Sequence, residues 1–168
     1  LTQRRLRQLL FYNRRSGAFT WRVAVHGSRG IGQPAGFVTN GYITIKVDGV
    51  GFYAHRLAWF WVHKRFPRRL LDHKNGDKKC NRIANLRPAS NSQNGAWRRN
   101  LNLNNTSGYR GVHVFSRLKV WTASIKVKRK RIFLGYYDDP VKAAQVYDRE
   151  AVRYFSKFAK TNQSMGLL

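Results

Sequence analysis

No uninterrupted apolar run in this chain is longer than residues 57–62, and turn pairs cut the rest into short pieces. Asn40-Gly41 and Asp48-Gly49 flank the alternating run Tyr42-Ile43-Thr44-Ile45-Lys46-Val47, and Gly51-Phe52-Tyr53 can pair back on it. Asn-Gly and Asp-Gly are the pairs that supply two residues at positive φ in a tight hairpin. The chain therefore reads as short strands and short helices. It falls far short of the roughly 20 apolar residues that a membrane span requires.

Charge narrows the partners. Residues 1–71 carry 13 basic and 1 acidic side chain, residues 72–100 carry 7 and 2, and residues 101–168 carry 13 and 4. The formal net charge of +26 is thus spread over the whole chain and is not a detachable tail. A folded chain of this kind repels itself, and a polyanion is its natural partner. No basic amphipathic helix with a wide apolar face points to a lipid surface, so nucleic acid is the better reading. Hydrophobic residues make up 42% of the chain, enough for a folded core. The lone Cys80 excludes an internal disulfide and a cysteine-based zinc cage, and fits a reducing compartment. The start shows no signal or transit-like pattern.

Local pattern places the elements. Thr2 caps a helix expected over residues 3–12, with Leu6, Leu9 and Leu10 on one face. A strand over residues 18–22 follows Gly17, and the glycine-rich stretch 26–36, which holds His26, reads as loop. Residues 55–63 read as an apolar helix stopped before Pro67, with Trp59, Phe60 and Trp61 as core and with His55 and His63 as surface or packing residues. A short strand at residues 70–72 leads into the loop Asn75-Gly76-Asp77, and residues 85–87 return beside it. Ser90-Asn91-Ser92-Gln93 is a capping box that starts a further helix. Residues 101–107, rich in Asn and without a period, read as a linker. Strands over 109–115, 120–127 and 131–137 come next. Asp139-Pro140 then caps a helix that buries Ala144, Tyr147, Ala151 and Tyr154 or Phe155. Residues after Asn162 read as a frayed tail.

The chemistry sits at Asp72-His73. The imidazole has a carboxylate beside it and amides at Asn85 and Asn94, twelve and twenty-one positions later. Phosphodiester cleavage needs a base for water and a cation for the developing charge. The base must be neutral, which surrounding positive charge favours. Only Asp48, Asp72 and Asp77 precede residue 101, so one metal is the economical reading. These residues, with His55-Arg56-Leu57, Asn75-Gly76-Asp77, Asn81-Arg82, Ile83-Ala84-Asn85-Leu86-Arg87 and Ser92-Gln93-Asn94, resemble the HNH nuclease motif of phage and intron homing endonucleases over residues 53–97. The resemblance implies His73 as general base, Asp72 and Asn94 as ligands of one Mg²⁺ or Mn²⁺, and Asn85 as the residue that ties the loop and orients His73. Asn81 is the alternative for that orienting role. The usual motif ends in His where this chain has Asn94, a departure shared by a subset of homing endonucleases.

A second resemblance covers residues 104–162. Ser107-Gly108-Tyr109-Arg110-Gly111-Val112, Trp121, Ala123, Ile125, Leu134-Gly135, Ala143-Ala144, Tyr147-Asp148, Ala151 and Asn162 are similar to the ethylene-response-factor (Apetala-type) DNA-binding domain. That resemblance implies a three-stranded antiparallel sheet packed on one helix and docked in the major groove. Arg110 and Trp121 match DNA-facing positions of the family. His113 and Thr122 stand where other members often carry Arg. Lys126, Lys128, Arg129, Lys130 and Arg131 crowd the second hairpin as phosphate contacts, and Arg98 and Arg99 join the DNA-contact set. Tyr136 and Tyr137 read as packing residues and Asp148 as structural.

The expected fold class is α+β. A ββα-metal (HNH) nuclease module with N-terminal hairpins fills residues 1–100, a linker fills 101–107, the sheet-and-helix domain fills 108–162, and a tail fills 163–168. The expected function is a metal-dependent endonuclease that nicks double-stranded DNA as a monomer, leaving 5′-phosphate and 3′-hydroxyl ends. The resemblance implies a phage-encoded enzyme acting in the host cytoplasm. The rival readings are a DNA-binding regulator with a lapsed nuclease module, and a basic RNA-binding protein, for which tails and stacking motifs are missing.

Overall fold

The turn pairs cut the fold where they cut the sequence. The computed structural model describes residues 1–24, 30–96, 101 and 104–168; His26, Arg98 and Arg99 lie outside the described residues. The chain divides into two compact units, Leu1–Ala89 and Ser90–Leu168.

In the first unit α1 (Gln3–Leu9) starts at Thr2, whose hydroxyl accepts the Arg5 N–H at 3.1 Å. It stops three residues earlier than its apolar spacing predicts. Residues 10–12 form β1 (Leu10–Tyr12) and pair antiparallel with β2 (Phe19–Trp21). Pairing overrides the helical period here, because β1 buries Leu10 and Tyr12 while Phe11 faces out. Next, β3 (Phe37–Thr39), β4 (Tyr42–Val47) and β5 (Val50–Tyr53) form a three-stranded sheet in that order. α2 (Ala54–His63) follows and buries Leu57, Ala58, Phe60 and Trp61 against Leu6, Leu10, Ile45 and Val47. Trp59, Phe60 and Trp61 thus serve the core as expected. β6 (Leu70–His73) and β7 (Leu86–Ala89) close the unit as an antiparallel pair, with the long turn between them ending in a 3-10 turn, Ile83–Asn85.

The second unit opens on the capping box. The Ser90 hydroxyl accepts the Gln93 N–H at 3.2 Å, and the Gln93 amide oxygen accepts the Ser90 N–H at 2.9 Å. α3 (Asn91–Ala96) starts there. The division at Ala89 falls before the stretch expected as a linker. Asn105 and Ser107 are instead tied into the second unit. The Asn105 amide donates to the Tyr109 carbonyl at 2.7 Å, and the Ser107 hydroxyl donates to the Val112 carbonyl at 2.8 Å. A three-stranded antiparallel sheet of β8 (Val112–Phe115), β9 (Val120–Val127) and β10 (Lys130–Tyr137) packs on α4 (Pro140–Phe155). β8 starts at Val112, not 109, because Gly111 sits at φ +76°. Its absent side chain leaves room for the Tyr147 ring: a Cβ there would lie 2.0 Å from a ring carbon.

The residues expected as a tail are anchored. Asn162 is fully buried. Its side chain accepts the Arg110 N–H at 2.6 Å and donates to Asp148 at 2.8 Å, and residues Gln163–Met165 form a 3-10 turn. Asp148 is structural, as its pattern suggested; its two oxygens take the N–H groups of Asn162 and Gln163.

Candidate active site

Strand pairing builds the site from the ladder outward. In the β6–β7 register Asp72 faces Arg87 and His73 faces Leu86. Both Asp72 and His73 are only 5% exposed. A buried carboxylate needs a partner, and Arg87 supplies it: its Nε and Nη2 both lie 2.8 Å from Asp72 Oδ2.

His73 is held by Asn81. His73 Nε2 lies 3.3 Å from Asn81 Oδ1. Asn81 is itself 1% exposed, its Nδ2 donating to the Lys79 carbonyl at 3.1 Å and its carbonyl accepting the Tyr12 hydroxyl at 2.7 Å. With Nδ2 committed to Lys79, the face turned to the imidazole is an acceptor. That assigns the proton to His73 Nε2 and leaves Nδ1 with the free lone pair. The N-terminal hairpin buttresses this arrangement. Burial pushes the Tyr12 hydroxyl up to about 12, so it stays a donor at any physiological pH. The turn before β2 passes so close that a side chain at Gly17 would lie 2.3 Å from the Arg82 nitrogen.

Asn85 makes the loop-tying contacts expected of it, and its side-chain hydrogen bonds go to the loop and not to His73. Its Oδ1 accepts the Asn75 N–H at 3.0 Å, and its Nδ2 donates to Asn75 Oδ1 at 2.9 Å and to the Cys80 carbonyl at 2.8 Å. Asn85 thus ties the loop, and the side-chain hydrogen bond to the His73 ring comes from Asn81, the alternative for the orienting role. Twelve-residue spacing does not distinguish the two amides, because the loop between β6 and β7 folds back and brings Asn81 to the imidazole.

The other side of His73 is aromatic. Its ring lies 5.2 Å from that of His55, edge to face, and 6.1 Å from that of Tyr42. His55 is buried in α2, stacked 5.5 Å from Tyr53. It is a packing residue and not a surface one. Burial, then the neighbouring His73 and Arg56, push His55 down to about 4. Burial also lowers the His73 pKa below its ordinary value, against the Asn81 bond and the Asp72 and Asp77 charges, which act to raise it. Both imidazoles are therefore neutral near pH 7, the form a general base requires.

Among the described residues no three His, Cys, Asp or Glu side chains form a group able to hold a metal ion. The donors that remain are oxygens. The Arg87 Nε and Nη2 contacts both fall on Asp72 Oδ2, at one end of the carboxylate. Asn94, in the second unit, is half-buried on α3, with its N–H on the Ser90 carbonyl at 2.9 Å. A carboxylate oxygen is a hard donor, which suits a hard divalent cation and not a soft metal.

Of the DNA contacts expected in the second unit, His113, Lys126, Lys128, Arg129, Lys130 and Arg131 are exposed. Two differ. Trp121 shares its face of β9 with buried Ala123 and Ile125 and packs against the helix-side core, because residues two apart on a strand point the same way. The Arg110 guanidinium is used inside the unit, its Nε on the Tyr147 hydroxyl at 3.1 Å and its Nη2 on the Gly95 carbonyl at 3.2 Å. Tyr136, expected to pack, is 54% exposed.

Residues 52–96 match the family model described as HNH endonuclease. No curated protein matches the chain. The match supports an HNH nuclease, a hydrolase that acts on DNA, and nucleases of this kind generally use a divalent metal. Among the described residues no helix is long and apolar enough to cross a membrane.

The Asn81 contact yields a direct prediction. Asn81→Ala removes the acceptor that selects the Nε2–H tautomer. Leaving a buried polar group unpaired costs about 1–3 kcal/mol, so the cleavage rate falls roughly tenfold to a hundredfold. Affinity for DNA, measured in EDTA, stays unchanged. A fall in affinity with an unchanged single-turnover rate would refute the positioning role.

Proposed function

We propose that this chain is a metal-dependent endonuclease of the HNH homing type that nicks one strand of duplex DNA. The observation that carries the reading is the buried, neutral His73, pinned at Nε2 by Asn81 beside Asp72, within the segment matched by the family. His73 Nδ1 takes the proton from the attacking water, and the products are a 5′-phosphate and a 3′-hydroxyl. Asp72 and, as the resemblance implies, Asn94 would hold one Mg²⁺ or Mn²⁺, which would supply charge neutralisation at the phosphate. Arg87 holds the Asp72 carboxylate in place, and Asn85 holds the loop. The cutting part lies within residues 1–100, and the C-terminal sheet docks on duplex DNA as an ethylene-response-factor-type domain does. The enzyme works as a monomer, since the +26 charge opposes self-association.

Supercoiled plasmid with the protein tests this reading. Open-circle product in Mg²⁺ and none in EDTA is the expected result. Linear product at the first turnover would replace nicking by paired cutting. Binding without any cutting, on phage genomic DNA as well, would turn the reading into a DNA-binding regulator.

The docking part has its own test. The β9–β10 turn places Lys128 at φ 46° and Arg129 at φ 71°. Two-residue turns of this kind favour Asn-Gly, and a non-glycine residue in this region costs roughly 1 kcal/mol or more. Two basic side chains held there at a conformational cost fit a tip that meets phosphate. Lys128→Asn with Arg129→Gly is therefore expected to raise the melting temperature and to weaken DNA binding. The slope of log affinity against log salt becomes shallower by about 0.9 for each phosphate that the variant no longer neutralises. An unchanged slope would remove the tip from the interface.

A further inference from the structure

The face of the C-terminal sheet that α4 does not cover has two chemical ends. Residues alternate along the strands, and Val112, Ala123 and Ile125 point to the helix. His113 and Phe115 on β8, with Thr122, Ser124 and Lys126 on β9, therefore point away. On β10 a bulge between Phe133 and Gly135 inserts one residue. Phe133 opposite Ser124 and Tyr136 opposite Thr122 consequently lie on the same open face, although their odd spacing would separate them on a regular strand. Phe115, Phe133 and Tyr136 are 37%, 54% and 54% exposed. They form a cluster, with Tyr136 ring centroids 4.9 Å from Phe133 and 5.6 Å from Phe115. The two flanking strands meet over small Thr122 in the central one. At the other end Lys126 and Arg131 face each other and the Lys128-Arg129 turn follows.

A surface half basic and half aromatic does not fit a phosphate backbone alone, because phosphate has nothing for the rings. A second copy of this chain is opposed by its charge. The apolar groups that duplex DNA offers a β-ribbon are the thymine 5-methyls in the major groove, and apolar side chains read them. We propose that the Phe115–Tyr136–Phe133 cluster reads thymine methyl groups in the major groove while Lys126, Arg131 and the turn hold the adjoining phosphates. The inference rests on the docking reading above and names what that face selects. The basic end sets affinity and the rings set preference. One buried methyl contributes about fourfold in affinity, and two contribute about fifteenfold.

The test uses the full chain in EDTA with three alternating duplexes: dA·dT, dA·dU and dG·dC. Uracil differs from thymine by the methyl alone. The expected result is binding to dA·dT about fifteenfold tighter than to dA·dU. Phe133→Ser with Tyr136→Ser abolishes that ratio while keeping the salt slope. Phe133→Leu, which stays apolar, keeps it, and thermal melting checks that each variant is folded. Equal affinity for dA·dT and dA·dU with a steep salt slope overturns the thymine reading and leaves docking intact. A ratio that survives the double substitution overturns it also, since the preference then resides elsewhere. No salt-dependent binding to any duplex overturns the docking reading itself. Tighter binding to single-stranded dT would make the rings a stacking platform and overturn methyl readout.

Discussion

His73→Ala is expected to lower the rate of plasmid cleavage by about 10²- to 10⁴-fold at neutral pH, the usual contribution of a positioned general base. The imidazole is neutral because burial lowers its pKa, and its free nitrogen is set by Asn81 and not by chance. Alanine removes the base and leaves Asp72 with its Arg87 partner. Duplex affinity measured in EDTA therefore stays at the wild-type value, and only the chemical step suffers. His63→Ala is the control. His63 is exposed at the end of α2, its ring tilted 4.1 Å from that of Trp59, and its loss is expected to leave the rate unchanged. A His73→Ala protein that nicks within twofold of wild type would remove this residue from the mechanism. The base would then have to be sought elsewhere in residues 52–96. A variant that also binds DNA tenfold more weakly would make His73 a structural residue.

The candidate site is legible in sequence because its residue types are rare together. A carboxylate and an imidazole in a chain with seven acidic residues stand out, and the capping box that starts α3 is a local pattern whose partners lie three residues apart. What is not legible depends on long-range pairing. Leu10 continues the apolar spacing of α1, yet hydrogen bonds to β2 turn the chain into a strand. Asn81 and Asn85 look equivalent until the loop folds and the Tyr12 hydroxyl, 69 residues upstream of Asn81, anchors one of them. Period two sorts β9 into faces but does not say which face the helix covers; the resemblance places Trp121 on the open face, and it lies on the helix side. The bulge in β10 shifts the phase of every later residue, and no single side chain announces it. Legibility therefore ends where a contact depends on a distant partner.

Gly111→Ala is expected to destabilise the second unit by about 2–5 kcal/mol, a large share of the roughly 5–15 kcal/mol that holds a small domain together. Two costs add. A Cβ at φ +76° costs about 1–2 kcal/mol, because left-handed backbone crowds it against the carbonyl. That Cβ would also lie 2.0 Å and 2.2 Å from two carbons of the Tyr147 ring, and overpacking of this kind costs a further 1–3 kcal/mol or so. The ring cannot swing away freely, since its hydroxyl accepts the Arg110 Nε at 3.1 Å and it packs in the core of α4. Gly108 separates the two costs. It has nearly the same φ, +75°, and nothing within 4 Å, so Gly108→Ala carries only the backbone term. Melting of the three proteins is expected to rank wild type, then Gly108→Ala, then Gly111→Ala. Adding Tyr147→Leu to Gly111→Ala recovers part of the loss by clearing the ring. Limited trypsin digestion gives the functional reading: Gly111→Ala is cut first in residues 104–168, and its duplex affinity falls with its folded fraction. Equal melting temperatures for the two glycine variants would show that the Tyr147 ring does not need the space that Gly111 leaves.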